Sequence, residues 1–214
     1  MAEKELLLPL LALDERVVLP SMAVPIAIES EEARAAVRSA RETSGLVLLV
    51  PRIDGHYAKV GTVARLEESG RLPDGREAAV MRGMYRGVLH SAAFERSGAL
   101  WMTVEPAPDP KLEDLPGKTL ELAKEYRAVA ENLLELRGAG GALAMLRSVE
   151  HPGQLADLSG YSPDLKLAQG LELLETLDIH ERLEKVTAWR REALADASLK
   201  EKIRSEVNEG LEKR

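Results

Sequence analysis

The first half of the chain carries short apolar runs whose length and β-branched content are typical of strands. The clearest is a continuous apolar run at 46–50, which ends at Pro51 and indicates a buried strand. The sequence Leu-Pro-Asp-Gly at 72–75 indicates a hairpin turn, because proline and glycine supply the dihedral angles of a tight turn. One amphipathic helix interrupts the strands after Ser30, whose side chain can cap it. The pattern predicts a β-rich subdomain over residues 1–110.

Several prolines lie inside the predicted strands rather than between them, among them Pro9, Pro20 and Pro25. Proline cannot donate a ladder hydrogen bond, so it is confined to strand starts, bulges and sheet edges. A sheet edge leaves backbone groups and apolar side chains available to another chain. These prolines therefore favour a peptide-binding surface over a catalytic pocket.

A proline-rich linker at 105–110 separates the strands from a second half in which apolar residues recur every three or four positions. This spacing predicts a helical-bundle subdomain over residues 111–180. A heavily charged helix over 181–214 carries a narrow apolar stripe, which is typical of a seam for a partner helix. The residues predicted to serve assembly are Leu199, Ile203, Val207 and Leu211. Since no terminating signal follows Gly210, we expect the native protein to continue beyond Arg214.

Composition and charge narrow the functional classes. Of the 214 residues 45% are hydrophobic and 30% are charged, which is ordinary for a globular protein, and the formal net charge is −7. An acidic chain with few, scattered aromatic residues argues against nucleic acid as the main partner. The absence of cysteine excludes disulfides and thiolate chemistry and favours a cytoplasmic location. The apolar run at 6–13 is too short to span a membrane, so no membrane partner is expected.

Known catalytic and metal-binding motifs are absent from the sequence. It contains no P-loop Gly-x-x-x-x-Gly-Lys-Ser/Thr, no nucleophile elbow Gly-x-Ser-x-Gly and no His-Glu-x-x-His. The four histidines lie too far apart in sequence to form a local ligand pair. We therefore predict no catalytic residue, metal site or bound cofactor in these 214 residues.

Adaptable apolar side chains remain as candidates for function. Methionine is flexible and polarisable and suits surfaces that contact varied partners, although a place in the core is the common alternative. Met81, Met84 and Tyr85 cluster in one strand-like segment, and Met22 and Trp101 are open to the same two interpretations. We predict these five residues as peptide contacts.

Several short motifs follow one another in a specific order along the chain. In the first half they are Leu8-Pro9-Leu10, Val60-Gly61-Thr62-Val63-Ala64, the turn at 72–75, and the strand Gly83-x-x-Arg86. In the second half they are Pro152-Gly153-Gln154-Leu155-Ala156-Asp157 and Leu173-Leu174-Glu175-Thr176-Leu177-Asp178. Together they resemble the N-terminal substrate-binding domain of Lon, the ATP-dependent AAA+ protease. The resemblance implies an α+β fold: a β-rich, PUA-like pseudobarrel, then a helical bundle that ends in a long helix leading to an ATPase module.

The resemblance also implies a function. We expect a noncatalytic module that recognises unfolded or degron-bearing proteins and supports oligomeric assembly, with edge-strand pairing and shallow apolar pockets as the mechanism. The parent would be a homohexameric Ser-Lys endopeptidase that binds ATP and Mg²⁺ in a module outside these residues. Two alternatives stay open, a mainly structural oligomerisation module and a stand-alone substrate adaptor.

Overall fold

The computed structural model describes the backbone of residues 5–90 and 92–212, and the side chains of these residues as far as 207. Eight strands lie in this part of the chain: β1 (Leu6–Asp14), β2 (Ala23–Ala27), β3 (Leu46–Ile53), β4 (His56–Tyr57), β5 (Val60–Arg71), β6 (Glu77–Leu89), β7 (Phe94–Arg96) and β8 (Ala99–Ala107). Six α-helices accompany them: α1 (Glu31–Glu42), α2 (Gly117–Leu136), α3 (Gly140–Ser148), α4 (Pro152–Asp157), α5 (Leu167–Glu175) and α6 (Ile179–Glu212). The predicted α+β class is confirmed.

The chain divides into two compact units. The first comprises Met1–Asp109 and Asp157–Leu177, and the second comprises Pro110–Ala156 and Asp178–Arg214. The sequence predicted one helical subdomain over 111–180. The structure divides this range differently, because residues 157–177 pack with the strands of the first unit.

Five strands of the first unit close into a barrel. Their order is β6, β5, β3, β1 and β8, and β8 pairs again with β6. β1 and β3 are parallel, whereas the other neighbouring strands of the barrel are antiparallel. Their shared core is a cluster of aliphatic side chains that are almost fully buried: Leu8, Leu10, Leu48, Val50, Val63, Met102 and Val104. Burial of each such side chain contributes roughly 1.5–3 kcal/mol, so this cluster is a main source of the barrel's stability.

The prolines within the strands all lie where the strand is paired on one side only. Pro9 faces β8, one residue before β1 begins to pair with β3. Pro51 faces β1 after the ladder with β5 has ended, and Pro106 faces β6 alone. Each of these prolines thus has one side without a ladder partner, which is where a residue that cannot donate a hydrogen bond is tolerated.

The expectation that these prolines mark open sheet edges holds for β2 alone. β1 lies between β3 and β8, so Pro9 is inside the sheet, and Pro20 lies in the loop before β2. Pro25 does lie in the edge strand β2, where its ring removes one outward donor. A second donor of this edge, the N–H of Ala23, is bonded to the hydroxyl of Tyr161 at 2.7 Å. The β2 edge therefore offers little for an added strand.

Helix α1 begins where the sequence predicts. The hydroxyl of Ser30 accepts a hydrogen bond from the backbone N–H of Ala33 at 3.0 Å, which caps the helix. The buried face of α1 includes Ala36, Val37 and Ala40. The hairpin turn predicted at 72–75 is also confirmed, since it joins β5 to β6 and closes with a 2.8 Å bond from the Gly75 N–H to the Leu72 carbonyl.

A buried ion pair holds residues 157–177 against the barrel. The two terminal nitrogens of Arg86, on β6, each lie 2.8 Å from one carboxylate oxygen of Asp157. The Nε of Arg86 donates to the backbone carbonyl of Leu174, and one terminal nitrogen donates also to that of Leu173, both at 2.9 Å. Both charged side chains are 1% exposed. One arginine therefore fixes both ends of this segment.

The second unit is helical, with α2 packed against α6 and α3 packed against α2. Its buried side chains include Tyr126 and Leu133 on α2 and Leu183 and Val186 on α6. The guanidinium of Arg127 donates to the carbonyls at the end of α3, Leu146 and Val149, and so holds α3 in place. None of the described helices has the length and apolar character needed to cross a membrane.

The distal part of α6 has no packing partner among the described residues. Every side chain from Ser198 to Val207 is exposed. The helix has 34 residues, which at about 1.5 Å per residue gives a length of roughly 50 Å. We call these exposed residues, 198–207, the free half of α6.

We predict that removing one charge of the buried pair strongly destabilises the first unit. Asp157→Asn leaves the Arg86 charge buried without its carboxylate, which typically costs about 3–5 kcal/mol. Urea unfolding followed by circular dichroism measures this loss.

Asp14→Asn is the matched control. It removes a carboxylate that pairs with Arg52 at 2.6 Å while 66% of its side chain is exposed. Exposed pairs contribute little, so the unfolding midpoint should hardly move. Equal destabilisation by the two substitutions would contradict the importance of the buried pair.

Candidate functional site

The structure separates the five predicted peptide contacts into buried and accessible residues. Met81, Met22 and Trp101 are 0%, 5% and 6% exposed. Met84 is 41% exposed, and Tyr85 is half-buried against the barrel core. Peptide contact stays a prediction for Met84 and Tyr85, whereas in this conformation the other three belong to the core.

Each buried residue has a packing role that explains its position. Met81 lies at the centre of β6, between Val24 of β2 and Leu66 of β5. Trp101 packs in a small cluster with an alanine of α1, and its indole N–H donates to the carbonyl of Arg96 at 3.2 Å. The sulfur of Met22 accepts a hydrogen bond from the backbone N–H of Leu19 at 3.3 Å and lies against Gly160.

A β-bulge lies at Met84, whose side chain is exposed on the outer face of β6. Val63 on β5 lies opposite Tyr85, but the next residue, Ala64, lies opposite Gly83. Met84 is therefore an extra residue on β6 without a partner in the register. Arg82 and Met84 are exposed, whereas Gly83 is buried and Tyr85 packs against the core, as expected for side chains that alternate along a strand. Met84 therefore reaches solvent from the outer face of β6.

Gly83 fixes the loop before β2 beside this bulge. Its carbonyl accepts from the N–H of Ser21 at 2.9 Å, and its N–H donates to the carbonyl of Met22 at 2.8 Å. A Cβ at position 83 would lie 2.7 Å from the carbonyl oxygen of Leu19, which is closer than real contacts allow. Only glycine lets the loop approach β6 so closely.

Tyr161 adds a second exposed apolar group to the same region. It is 42% exposed, and its hydroxyl accepts from the N–H of Ala23, which lies opposite Arg82 on β6. Arg82 pairs with Glu67 at 2.5 Å, and this carboxylate raises the pKa of the guanidinium further above its usual value. We call Ser21, Arg82, Met84 and Tyr161 the Met84 surface.

The Met84 surface combines a thioether, a phenol ring and an ion pair. Such groups can bind a polypeptide through apolar contact and hydrogen bonds. Sequence reasoning missed Tyr161, because nothing in the local pattern distinguishes an exposed aromatic on a short 3₁₀ turn from a core residue. The segment that carries Tyr161 is the one that Arg86 holds in place.

The residues predicted for assembly lie on the free half of α6. Leu199, Ile203 and Val207 are 59%, 52% and 56% exposed. Their spacing of four residues places them along one face of the helix. The side chain of Leu211 lies outside the described residues. The stripe is therefore accessible to a partner helix over the part that the structure describes.

Side chains that could bind a metal ion are not grouped into a site in the described part of the chain. No group of three or more His, Cys, Asp or Glu side chains is placed to hold a metal ion there. The histidine rings instead contact other groups of the protein, such as the carboxylate of Glu105, which lies 2.6 Å from the ring of His90.

Comparison with known proteins gives a consistent result. The family model described as "ATP-dependent protease La (LON) substrate-binding domain" matches residues 7–189. The chain is 42% identical over 211 residues to a Lon protease of Salinispora arenicola and 38% identical over 206 residues to that of Mycolicibacterium smegmatis. Both alignments cover 96% of this chain and 26% of the relative. The chain thus spans about a quarter of the length of the curated relatives it matches.

Two solved structures are similar to the fold. One is the N-terminal domain of a Lon protease from the Mycobacterium avium complex, with a TM-score of 0.77 and 34% identity over 86% of this chain and 98% of that domain. The other, a Lon N-terminal domain protein from Xanthomonas campestris, has a TM-score of 0.63 with the same coverage. At 23% identity this second likeness concerns the fold alone.

We predict that Gly83→Ala destabilises the first unit, since the added methyl group forces the Leu19 carbonyl away from β6. Overpacking of this kind typically costs about 1–3 kcal/mol. Thermal or urea unfolding measures the change.

Gly70→Ala is the matched control, because it lies on the neighbouring strand β5 and a Cβ there meets no atom within 4 Å. We expect it to leave stability nearly unchanged. If both substitutions had the same effect, the close approach at Gly83 would not be a constraint on the fold.

Proposed function

Because the chain belongs to the family of Lon substrate-binding domains, we propose that it captures unfolded or degron-bearing polypeptides for an ATP-dependent Lon protease. The observation that carries the proposal is Met84, an apolar side chain that is 41% exposed on β6, together with the exposed Tyr161, whose hydroxyl is bonded to the strand that pairs with β6. Unfolded proteins differ from folded ones in exposing apolar side chains, which such a surface can bury. Recognition therefore depends on exposed apolar segments.

Affinity at one such surface is weak, because Met84 and Tyr161 offer only a small apolar area. Several copies of the domain around one pore would raise the effective concentration of binding sites for a single substrate chain. Weak sites suit a step that must release the polypeptide again. Since the β2 edge is largely blocked, apolar contact contributes more to capture than strand addition at that edge.

We further propose that these residues act without catalysis of their own. In this proposal the parent is a cytoplasmic Ser-Lys endopeptidase, and ATP and Mg²⁺ bind in a module outside the residues described. A PUA-like relationship of the barrel belongs to the same proposal and is supported by the closure of five strands.

A second role in assembly is favoured by the free half of α6. Its exposed stripe, Leu199, Ile203 and Val207, suits a seam with the same helix of another copy. We propose that this contact supports a homo-oligomeric, hexameric parent. The stripe also supports the alternative that the domain is mainly structural.

The capture proposal is tested by Met84→Asp. Binding of the chain to a permanently unfolded variant of a small protein is compared with binding to the folded wild type by fluorescence anisotropy. We expect tighter binding of the unfolded form, and a loss of at least about fivefold with Met84→Asp, since burial of a half-exposed methionine contributes ~1 kcal/mol.

Met145→Asp is the matched control, because Met145 is 47% exposed on α3 of the second unit. It should leave the affinity unchanged. Equal binding of the folded and unfolded proteins, or equal losses in the two variants, would contradict the proposal.

The assembly proposal is tested by Leu199→Glu combined with Ile203→Glu. Two charges in an apolar seam should lower self-association in sedimentation equilibrium by at least about tenfold, because exposed seams depend on apolar burial. Ser198→Glu with Ser205→Glu adds the same charge to the opposite, exposed face of α6 and should have little effect. An unchanged sedimentation profile in the variant with Leu199→Glu and Ile203→Glu would contradict the proposal.

A further inference from the structure

A groove lined by arginines lies in the first unit, between α1 and the β5–β6 hairpin. Its volume is about 640 Å³. Arg34, Arg38 and Arg41 line it from α1, where spacings of three and four residues place them on one face. Arg71 lines it from the end of β5. The groove includes no residue of the Met84 surface.

The floor of this arginine groove is apolar. Ile28, Val37, Ala78 and Ala79 are all buried and line its base. Gly70 lines it as well, and a Cβ there would meet no atom within 4 Å. The groove can therefore accept a small or medium apolar side chain.

Two of the four guanidinium groups are available for a ligand. Arg34 is held by Glu31 and Glu77, at 2.5 and 3.3 Å, and Arg41 donates to the hydroxyl of Ser69. Within the described part of the chain, Arg38 and Arg71 form no ion pair or hydrogen bond through their side chains. Both are exposed at the groove.

The groove is positive in an otherwise acidic chain. Four arginines and two glutamates line it, an excess of two positive charges, whereas the chain as a whole carries −7. Carboxylates are the natural partners of available guanidinium groups. The local charge thus selects an anionic ligand that the rest of the surface repels.

A strand edge borders the same groove. β5 pairs with β3 only from Thr62 to Arg65, and beyond this point its ladder continues with β6 alone. The groove residues Ser69, Gly70 and Arg71 belong to this singly paired part. An extended backbone beside them can form hydrogen bonds with the open side of β5.

We infer that the arginine groove binds acidic segments of extended polypeptides, in which Asp or Glu lies next to apolar residues. Arg38 and Arg71 bind the carboxylates, the floor accepts the neighbouring apolar side chain, and the edge of β5 pairs with the backbone. This inference rests on the proposed function, because it gives the same polypeptide substrates a second contact with a different chemistry.

A continuous polyanion fits the groove less well. Glu42 and Glu77 are part of the lining, and they would repel a row of phosphates. The apolar floor would also gain nothing from a phosphate chain. An alternation of charged and apolar groups, as in a peptide, matches the lining better.

The test compares two labelled peptides by fluorescence anisotropy, one with Glu next to Leu between Gly-Ser spacers, and one with Gln in place of every Glu. We expect the Glu peptide to bind more tightly and to lose affinity as salt is raised, because exposed charge pairs are screened. Arg38→Glu with Arg71→Glu should weaken binding of the Glu peptide by about tenfold and leave the Gln peptide unchanged.

Arg16→Glu with Arg65→Glu is the matched control. Both arginines are exposed, lie outside the groove and give the same change in net charge. The inference is overturned if the control variant loses as much affinity as the groove variant, or if the two peptides bind equally. It is also overturned if inorganic polyphosphate binds the groove while the Glu peptide does not.

The capture proposal and the groove inference can fail independently of each other. If Met84→Asp weakens binding of an unfolded protein while the groove variant binds both peptides as the native chain does, the groove inference fails and the proposed function stands. If the groove variant alone loses the Glu peptide and Met84→Asp changes nothing, the groove inference stands and the role of the Met84 surface fails.

Discussion

The buried ion pair between Arg86 and Asp157 is the interaction on which the first unit depends. Two charges that are 1% exposed are stable only when every hydrogen-bonding group is satisfied, because their desolvation costs several kcal/mol per ion. Each of the three guanidinium nitrogens of Arg86 has a partner, through two bonds to the carboxylate and two to the carbonyls of Leu173 and Leu174. A segment far along the chain is thus fixed to one barrel strand, and it brings Tyr161 to the Met84 surface.

Features that depend on neighbouring residues were predictable from the sequence. Ser30 caps α1, the turn at 72–75 joins two strands, and the apolar run at 46–50 is a buried strand. The rule that proline avoids doubly paired positions also holds. The further prediction that such prolines mark open sheet edges was wrong for Pro9. Parallel pairing of β1 with β3 begins one residue later, so β1 lies between two other strands.

Features that depend on which face of a strand is covered were not predictable. Met81 and Met84 lie three residues apart, an odd spacing that places them on opposite faces of β6, and one is fully buried while the other is exposed. Only the folded chain shows which of the two faces the core covers. Likewise, Arg86 and Asp157 belong to two separate motifs, and only the folded chain reveals that they form one ion pair. Long-range contacts of this kind leave no local pattern.

The central claim is that unfolded polypeptides bind at the Met84 surface, and mapping by nuclear magnetic resonance tests it most directly. The isotope-labelled chain is titrated with a permanently unfolded protein, and the amide shifts are followed residue by residue. We expect the largest changes at Ser21, at Arg82 to Tyr85 and at Tyr161, with the buried strand β3 unaffected. Changes confined to the second unit, or none at the Met84 surface at saturating polypeptide, would contradict the account.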